Sequence, residues 1–403
     1  MAKKGYRTVW AVIVPMAAAM VLAGCLGKAY EEIDLAQVQT GQPEAVPMGD
    51  IWIYSGEEGQ GGIVIQPEGA DVDRGQGPEE IRDKPQGQKT QGPALLIGGD
   101  VLLSDHVLHA YDAAGGIGGV LDEGYRQAIR DAGFFLVNQE FPFSHRGAAA
   151  KDKQYTFRLP PNKVALFQEM GIDGVALANN HALDFGRDAL LDTCGVLDAA
   201  GILHTGAGAD LEQARRPVAI EAQGKKVAVI GATRVMPTAD WAAGKGHPGM
   251  LAAYDMAVLL DEIRIQRQAN DFVAVYIHWG VEKEETPQEY QRAMGRQMVE
   301  AGADLVVGAH PHVLQGVEYY QGKLIAYSLG NFVFGSSIPR TALLQVDWEK
   351  GQDMPKYRLL PGTSGAGYTR MITDEAGRQE FFRYMESISF NARVEEDGTL
   401  CAK

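Results

Sequence analysis

The sequence is poor in cysteine, in net positive charge and in long apolar runs. Only three of its 403 residues are cysteines (Cys25, Cys194 and Cys401), which excludes a disulfide-stapled scaffold. Acids outnumber Lys and Arg, 52 to 37, for a formal net charge of −15. A general nucleic-acid binder needs a basic face, so no nucleic-acid partner is expected. An apolar run extends from Val9 to Gly24 with Pro15 in its middle, short of the ~20 residues of a spanning helix. A multi-span membrane protein is therefore excluded. What remains is globular material: 45% of residues are hydrophobic, too many for disorder throughout. The length suits two average domains, or one large domain with appendages.

Residues 1–24 carry Lys3, Lys4 and Arg7 and no acid. A basic head before a short apolar run reads as a secretory signal. The run ends Leu22-Ala23-Gly24-Cys25, which resembles the lipobox of bacterial lipoproteins. That resemblance implies that Cys25 is lipidated and becomes the mature N-terminus. An uncleaved signal anchor is the alternative. Either way the expected location is extracytoplasmic and membrane-anchored.

Without residues 1–24 and their three bases, 379 residues remain at −18. Residues 29–92 hold 13 acids and four bases, half of that charge in about a sixth of the length. Gly, Gln, Pro and acids dominate here, so little apolar area offsets ordering entropy. Residues 25–92 read as an acidic flexible stalk, spanning roughly 40–50 Å as a coil. Ile51–Tyr54 and Ile63–Ile65 are its apolar exceptions and read as short docking strands.

The texture changes at Ala94. Strand-like runs at 94–97, 134–137, 173–178, 272–277 and 304–307 alternate with helical stretches at 161–170, 187–200 and 254–268. Such alternation predicts an α/β architecture. Gln223-Gly224 between apolar runs is a hairpin signal, so a mixed sheet is expected. Thr286-Pro287-Gln288-Glu289 reads as a capping box opening another helix. Residues 93–335 form the expected main domain. Residues 336–403, with strand-like Leu343–Trp348, a loop at Pro361–Gly367 and a terminal helix, read as an extension packing on it.

Polar clusters stand just past these strands: Asp100, Asn138-Gln139-Glu140, Asn179-Asn180-His181, His278-Trp279-Gly280 and His310-Pro311-His312. Ligands of open α/β sheets bind at that edge. Singly, each residue has a structural account, such as a turn cap or a satisfied core histidine. Jointly they point to a metal or catalytic site. His310 and His312 share a face if the backbone there is extended. Asp100, Glu140, Asn180, His278, His310 and His312 offer oxygen and nitrogen without thiolate. That set suits one or, more in keeping with its size, two divalent ions (Zn, Mn, Fe or Ca). Paired ions could activate water and clamp an anionic substrate. His181 would protonate a leaving group or stabilise charge. Asp184 either orients His181 or caps the next helix. Glu282, Asn331 and Trp279 are expected beside the site. Arg158, Arg234, Lys283 and Arg340 are unranked candidates for an anion-binding rim.

These motifs, with Ala178-Asn179-Asn180-His181, Gly308–Gln315 and Ser328-Leu329-Gly330-Asn331-Phe332, resemble the bacterial capsule-synthesis CapA family, the poly-γ-glutamate biosynthesis PgsA-like proteins. That family looks like a branch of the calcineurin-like metallophosphatases. The resemblance implies a four-layer αββα sandwich and a metal site, with Asp100 as first aspartate and Glu140 in place of the bridging aspartate. Asn180-His181 would be the Asn-His pair, His278 the further histidine, and His310 with His312 the H-x-H. The position two residues after Asp100, where the resemblance implies a histidine, is Leu102; Asp105 and His106 are the candidate substitutes. Participation in capsule or poly-γ-glutamate synthesis or export follows from the resemblance, with an anionic polymer or membrane synthase subunits as partners. Two function classes follow: a metal-dependent hydrolase of phosphoester or γ-glutamyl linkages, and a non-catalytic polymer-binding or scaffold subunit.

Overall fold

The computed structural model describes residues 92–349 and 351–403. The leader, Cys25, the stalk to residue 91 and its two apolar exceptions lie outside the described residues. Among the described residues no helix is long and apolar enough to cross a membrane.

The chain begins β1 (Leu95–Val101), α1 (Asp105–Ala114), α2 (Glu123–Asp131), β2 (Phe134–Gln139), α3 (Val164–Met170), β3 (Gly174–Ala176), α4 (Gly186–Ala200) and β4 (Leu203–Thr205). It continues β5 (Ala207–Gly208), α5 (Leu211–Ala214), β6 (Val218–Ala222), β7 (Lys225–Thr233), β8 (Gly249–Met250), α6 (Ala257–Ala269), β9 (Phe272–His278), α7 (Glu289–Ala301) and β10 (Leu305–Ala309). It ends β11 (Leu314–Tyr320), β12 (Lys323–Leu329), β13 (Asn331–Val333), β14 (Ser337–Asp347), β15 (Lys356–Gly365), β16 (Tyr368–Met371), α8 (Glu375–Ser387), β17 (Ala392–Val394) and β18 (Thr399–Ala402).

Two mixed sheets carry the fold. The larger runs β17-β18-β15-β14-β1-β2-β3-β4, with β13 also on β1 and β16 on β15. The smaller runs β11-β12-β10-β9-β7-β6. Strand alternation sorts their side chains into layers. Leu95, Ile97, Phe134 and Leu136 of the larger sheet meet Val227, Val229, Ala274, Tyr276, Leu305 and Val307 of the smaller in one core. The alternate residues Leu96, Phe135, Val137 and Val175 face outward onto Val107, Tyr125, Ile129, Phe167, Leu190 and Leu197 of α1 to α4. On the other side Ile230, Val273, Val275, Ile277 and Val306 meet Leu259, Ile263, Met294 and Met298 of α6 and α7. Helices, sheet, sheet, helices: this is the four-layer αββα sandwich.

Local signals operate as expected at the hairpin, where Gln223 and Gly224 both take positive φ between antiparallel β6 and β7. Two expectations are corrected. The helix near residue 286 starts at Glu289, and its entry is fixed by Gln291 Oε1 accepting the Gln288 N–H at 2.8 Å. Most of the expected loop at Pro361–Gly367 is strand β15, paired with both β14 and β16. Glycine is used there for packing, since a Cβ on Gly362 would collide with the Tyr125 hydroxyl. Residues beyond 336 enter the larger sheet directly: β14 pairs antiparallel with β1, the strand that carries Asp100.

Candidate metal and catalytic site

Parallel strands of both sheets end at one edge, where the inter-sheet core gives way to polar side chains. Asp100 stands there because Gly99 lets β1 pass close to Gly330. A Cβ on Gly99 would collide with the Gly330 carbonyl, which instead accepts the Asp100 N–H at 2.9 Å. In β2 the inward series Phe134, Leu136 continues as Asn138 and then Glu140. In β9 the inward series Ala274, Tyr276 continues as His278, which pairs in register with Thr233 and Ala309.

Asn138 is the hub. Its Nδ2 donates to Asp100 Oδ1 at 2.8 Å and to Glu140 Oε1 at 3.1 Å, and its Oδ1 accepts from Asn179 Nδ2 at 3.1 Å. Asn179 Oδ1 in turn accepts the His181 backbone N–H at 3.0 Å. His278 Nε2 lies 2.8 Å from Asn180 Oδ1 and 3.5 Å from Glu140 Oε1. Asp100 Oδ2 accepts the His310 backbone N–H at 3.3 Å and lies 3.4 Å from His312 Nδ1. Asn331 Oδ1 is 2.8 Å from the same nitrogen.

The two histidines converge by a route the sequence did not reveal. An extended His310-Pro311-His312 was expected, yet φ is 97° at His310 and 58° at His312. Positive φ is uncommon for non-glycine residues and concentrates at functional sites, where surrounding structure holds it.

Beside this cluster lies a second group. His181 Nδ1 is 2.7 Å from Asp184 Oδ2 and 2.9 Å from Lys153 Nζ. Lys153 also contacts the other Asp184 oxygen and the Asn180 carbonyl, and Asp184 Oδ2 accepts the Phe157 N–H at 2.7 Å. Asp184 thus contacts His181, while the N-cap of helix α4 is Phe185, without a side-chain cap hydrogen bond.

Electrostatics follow from burial. Glu140 is fully buried beside Asp100, and both effects push its carboxyl well above the usual range. Burial, then His310 and His312, push His278 well below the ordinary imidazole range. Burial and His312 bring His310 down to about 3. Burial opposes charge on His312 too, but Glu140 and then Asp100 overcome it and raise its pKa to about 10. Burial lowers His181 and Lys153 against the pull of Asp184. A buried carboxylate pair that draws a proton onto one imidazole is a site with a demand for positive charge.

The residues fit a divalent cation. Asp100, Glu140 and His312 bring three ligand atoms within 4.8 Å of one another, as do Glu282, His310 and His312. Buried Glu140 Oε2 and His310 Nδ1 have no hydrogen-bond partner among the described residues, an uncommon state for buried polar atoms and a ready one for ligation. Neutral His278 and His310 are in the metal-binding form. His278 adjoins the first set through Glu140, and Asn180 through His278, but both lie outside the two sets. Asp105 and His106 join neither set, and Leu102 is buried in the outer core.

Trp279 is placed otherwise than expected. It follows inward His278, so alternation turns it outward, where it is fully buried, stacks on Tyr327 and donates Nε1–H to the Tyr327 carbonyl at 2.9 Å. Phe332 is likewise an outer-core residue. Sequence reasoning missed Lys153, which lies in the irregular segment between β2 and α3. It also missed the bridging part played by Asn138 and Asn179, although both stand inside the motifs it quoted.

A four-layer αββα sandwich with these groups at its strand ends has the architecture of the metallophosphatase-like superfamily, which includes the PGA_cap family. Within it, the family model described as bacterial capsule synthesis protein PGA_cap matches residues 94–336, and the chain belongs to that family. It is 34% identical over 227 residues to the PGA biosynthesis protein CapA of Bacillus subtilis (strain 168), covering 55% of this chain and 59% of that protein. It is 32% identical over 257 residues to the capsule biosynthesis protein CapA of Bacillus anthracis, covering 61% of each. A probable polyglutamine synthesis accessory protein of Mycobacterium tuberculosis (strain CDC 1551 / Oshkosh) is 31% identical over 207 residues, covering 49% and 54%. The chain thus spans less than two thirds of the length of these relatives.

Proposed function

We propose that this chain is a membrane-anchored lipoprotein that acts in capsule or poly-γ-glutamate production as a metal-dependent hydrolase. One observation carries the metal reading: two three-ligand sets share His312, one of them holding the unpartnered Glu140 Oε2 and the other the unpartnered His310 Nδ1. Bound divalent ions would supply Lewis acidity and a clamp for an anionic substrate. Asp100, Glu140, His310, His312 and Glu282 would hold them, with His278 and Asn180 completing the cage. Asp184 fixes His181 through Nδ1, which leaves Nε2 free of any protein partner among the described residues and available to give a proton to a leaving group. Lys153 braces Asp184 and the Asn180 carbonyl.

Metal analysis by mass spectrometry tests this directly. About two divalent ions per chain are expected, with a rise in melting temperature on adding Mn or Zn. Purified protein that holds no metal and gains no stability from either ion sinks the reading. Anchoring is a separate matter. Cys25→Ala is expected to release the protein from membranes and abolish acyl labelling, measured by fractionation after metabolic labelling with a fatty acid. Unchanged labelling rules out lipidation at Cys25.

One feature favours the second reading, a polymer-binding or scaffold subunit of a membrane synthase. Leu102 stands where the superfamily has a metal-site histidine, and its side chain is buried in the outer core. In that case the ions would bind polymer carboxylates without turnover.

A further inference from the structure

We propose that Arg234 is the residue that recognises a substrate carboxylate, if, as argued above, the metal cluster is where an anionic polymer is handled. Several arginines are tied to carboxylates, Arg215 to Glu262, Arg267 to Asp304 and Arg296 to Glu318; of the other rim candidates, Arg158 bonds backbone carbonyls and Arg340 lies over Tyr384. The Arg234 guanidinium has no carboxylate or hydrogen-bonding partner among the described residues. It lies over two aromatic rings instead, 3.8 Å from the centroid of Tyr254 and 5.5 Å from that of Tyr290. Stacking fixes the planar group and leaves its edge donors free for a two-point bond to a carboxylate.

Its placement ties it to the metal cluster. Arg234 comes one residue after Thr233, the register partner of His278, and its backbone N–H donates to the His278 carbonyl at 2.8 Å. The Tyr290 hydroxyl accepts the N–H of Gly280 at 2.8 Å. Gly280 packs against Pro311, between the two histidines. Both the cation and one of its supporting rings are thus locked to the loops that carry His278, His310 and His312. An apolar trough of about 530 Å³ lies beyond Tyr254, lined by Met236, Pro237, Leu251 and Val258. A cation whose backbone is bonded to the His278 strand, and whose guanidinium lies over a ring that borders an apolar trough, suits a chain whose carboxylates are separated by methylene groups. In a protein of net charge −15 such a local cation is what lets a polyanion approach.

The experiment measures binding of a penta-γ-glutamate oligomer to the full-length protein by calorimetry at fixed salt. Metal content and circular dichroism are read on the same samples. Arg234→Gln is expected to weaken binding by about tenfold or more at unchanged metal content. Arg234→Lys should recover only part of the loss, because an ammonium cannot make the paired bond. An oligomer with amidated side carboxyls should bind wild type no better than the free acid binds Arg234→Gln, and Arg234→Gln should weaken its binding no further. Binding by Arg234→Gln within about twofold of wild type would overturn the assignment, as would full recovery with Lys. So would metal-loaded wild type that fails to bind the oligomer, or loss of inorganic phosphate binding alone. If Arg234→Gln does not fold, the Lys variant and the amidated oligomer decide. Wild type without metal defeats the hydrolase reading, while oligomer binding still judges Arg234.

Discussion

Exchange of Asp100 for asparagine is expected to empty the metal site. Asp100 is fully buried, and its two oxygens meet the Asn138 amide, the His310 N–H and His312. Its charge also raises Glu140. Without a cation Asp100 repels Glu140 but accepts from Asn138, His310 and His312, so the exchange relieves one repulsion and turns an amide NH2 onto a buried donor. With a cation the same charge is the main attraction. Metal content read beside stability therefore separates a ligand from a merely structural aspartate.

At a metal concentration of 100 Kd, wild type should gain about 2.7 kcal/mol. That corresponds to roughly 3–4 °C in a chain of this size. Asp100→Asn should lose that gain and fall to a small fraction of wild-type metal content. The pH dependence has a definite sign. His310, at about 3, is already neutral at pH 7, whereas His312, at about 10, carries a proton that the metal must displace. Affinity should therefore fall about tenfold for each unit of pH below that value. Calorimetry in two buffers of different ionisation enthalpy would register about one proton released per ion that engages His312. A wild-type metal affinity that is flat between pH 6 and 8, or an Asp100→Asn variant that keeps its metal, contradicts this account.

The sandwich was legible because each core strand is a continuous apolar run ended by glycine or a polar residue, and because turn residues stood where turns occur. The metal candidates were legible for the same reason, being the first polar residues after those runs. Alternation would also have placed Trp279 correctly: an inward His278 forces its neighbour outward, onto Tyr327. Other features depend on tertiary structure. Lys153 reaches Asp184 from a segment with no periodicity. The turned-back backbone at His310 and His312 is marked by no glycine; histidine visits positive φ more than most residues, but Pro311 biases His310 toward extended geometry, which is what the sequence suggested. Gly362 looked like a loop residue because its partner, Tyr125, lies more than 200 positions away in sequence. Arg234 could not be ranked among the rim cations until its rings and its bond to the His278 carbonyl were visible.

Substitution of His181 separates the two function classes. His181 lies outside both three-ligand sets, so His181→Gln should keep its metal. If the protein is a hydrolase, kcat should fall by about 10²–10⁴, the usual contribution of a positioned proton donor. Asp184→Asn should also lower kcat, because the imidazole would lose the acceptor that fixes its Nδ1. It should also lower stability, since Asp184 holds Lys153 and the Phe157 N–H. His181→Gln is the cleaner variant for that reason. Burial depresses His181 against the pull of Asp184, so neutral imidazole is favoured in the resting site. The acid form is then the minor one at neutral pH, and wild-type turnover should rise as pH falls toward the His181 pKa. Loss of metal from His312 opposes that rise, so the profile must be taken at saturating metal. Turnover is measured on a phosphoester and on a γ-glutamyl oligomer. Metal-loaded wild type that cleaves neither, with polymer binding retained, leaves the scaffold reading standing and removes the hydrolase. Full turnover in His181→Gln removes His181 from the chemistry and returns it to the wall of the metal cage.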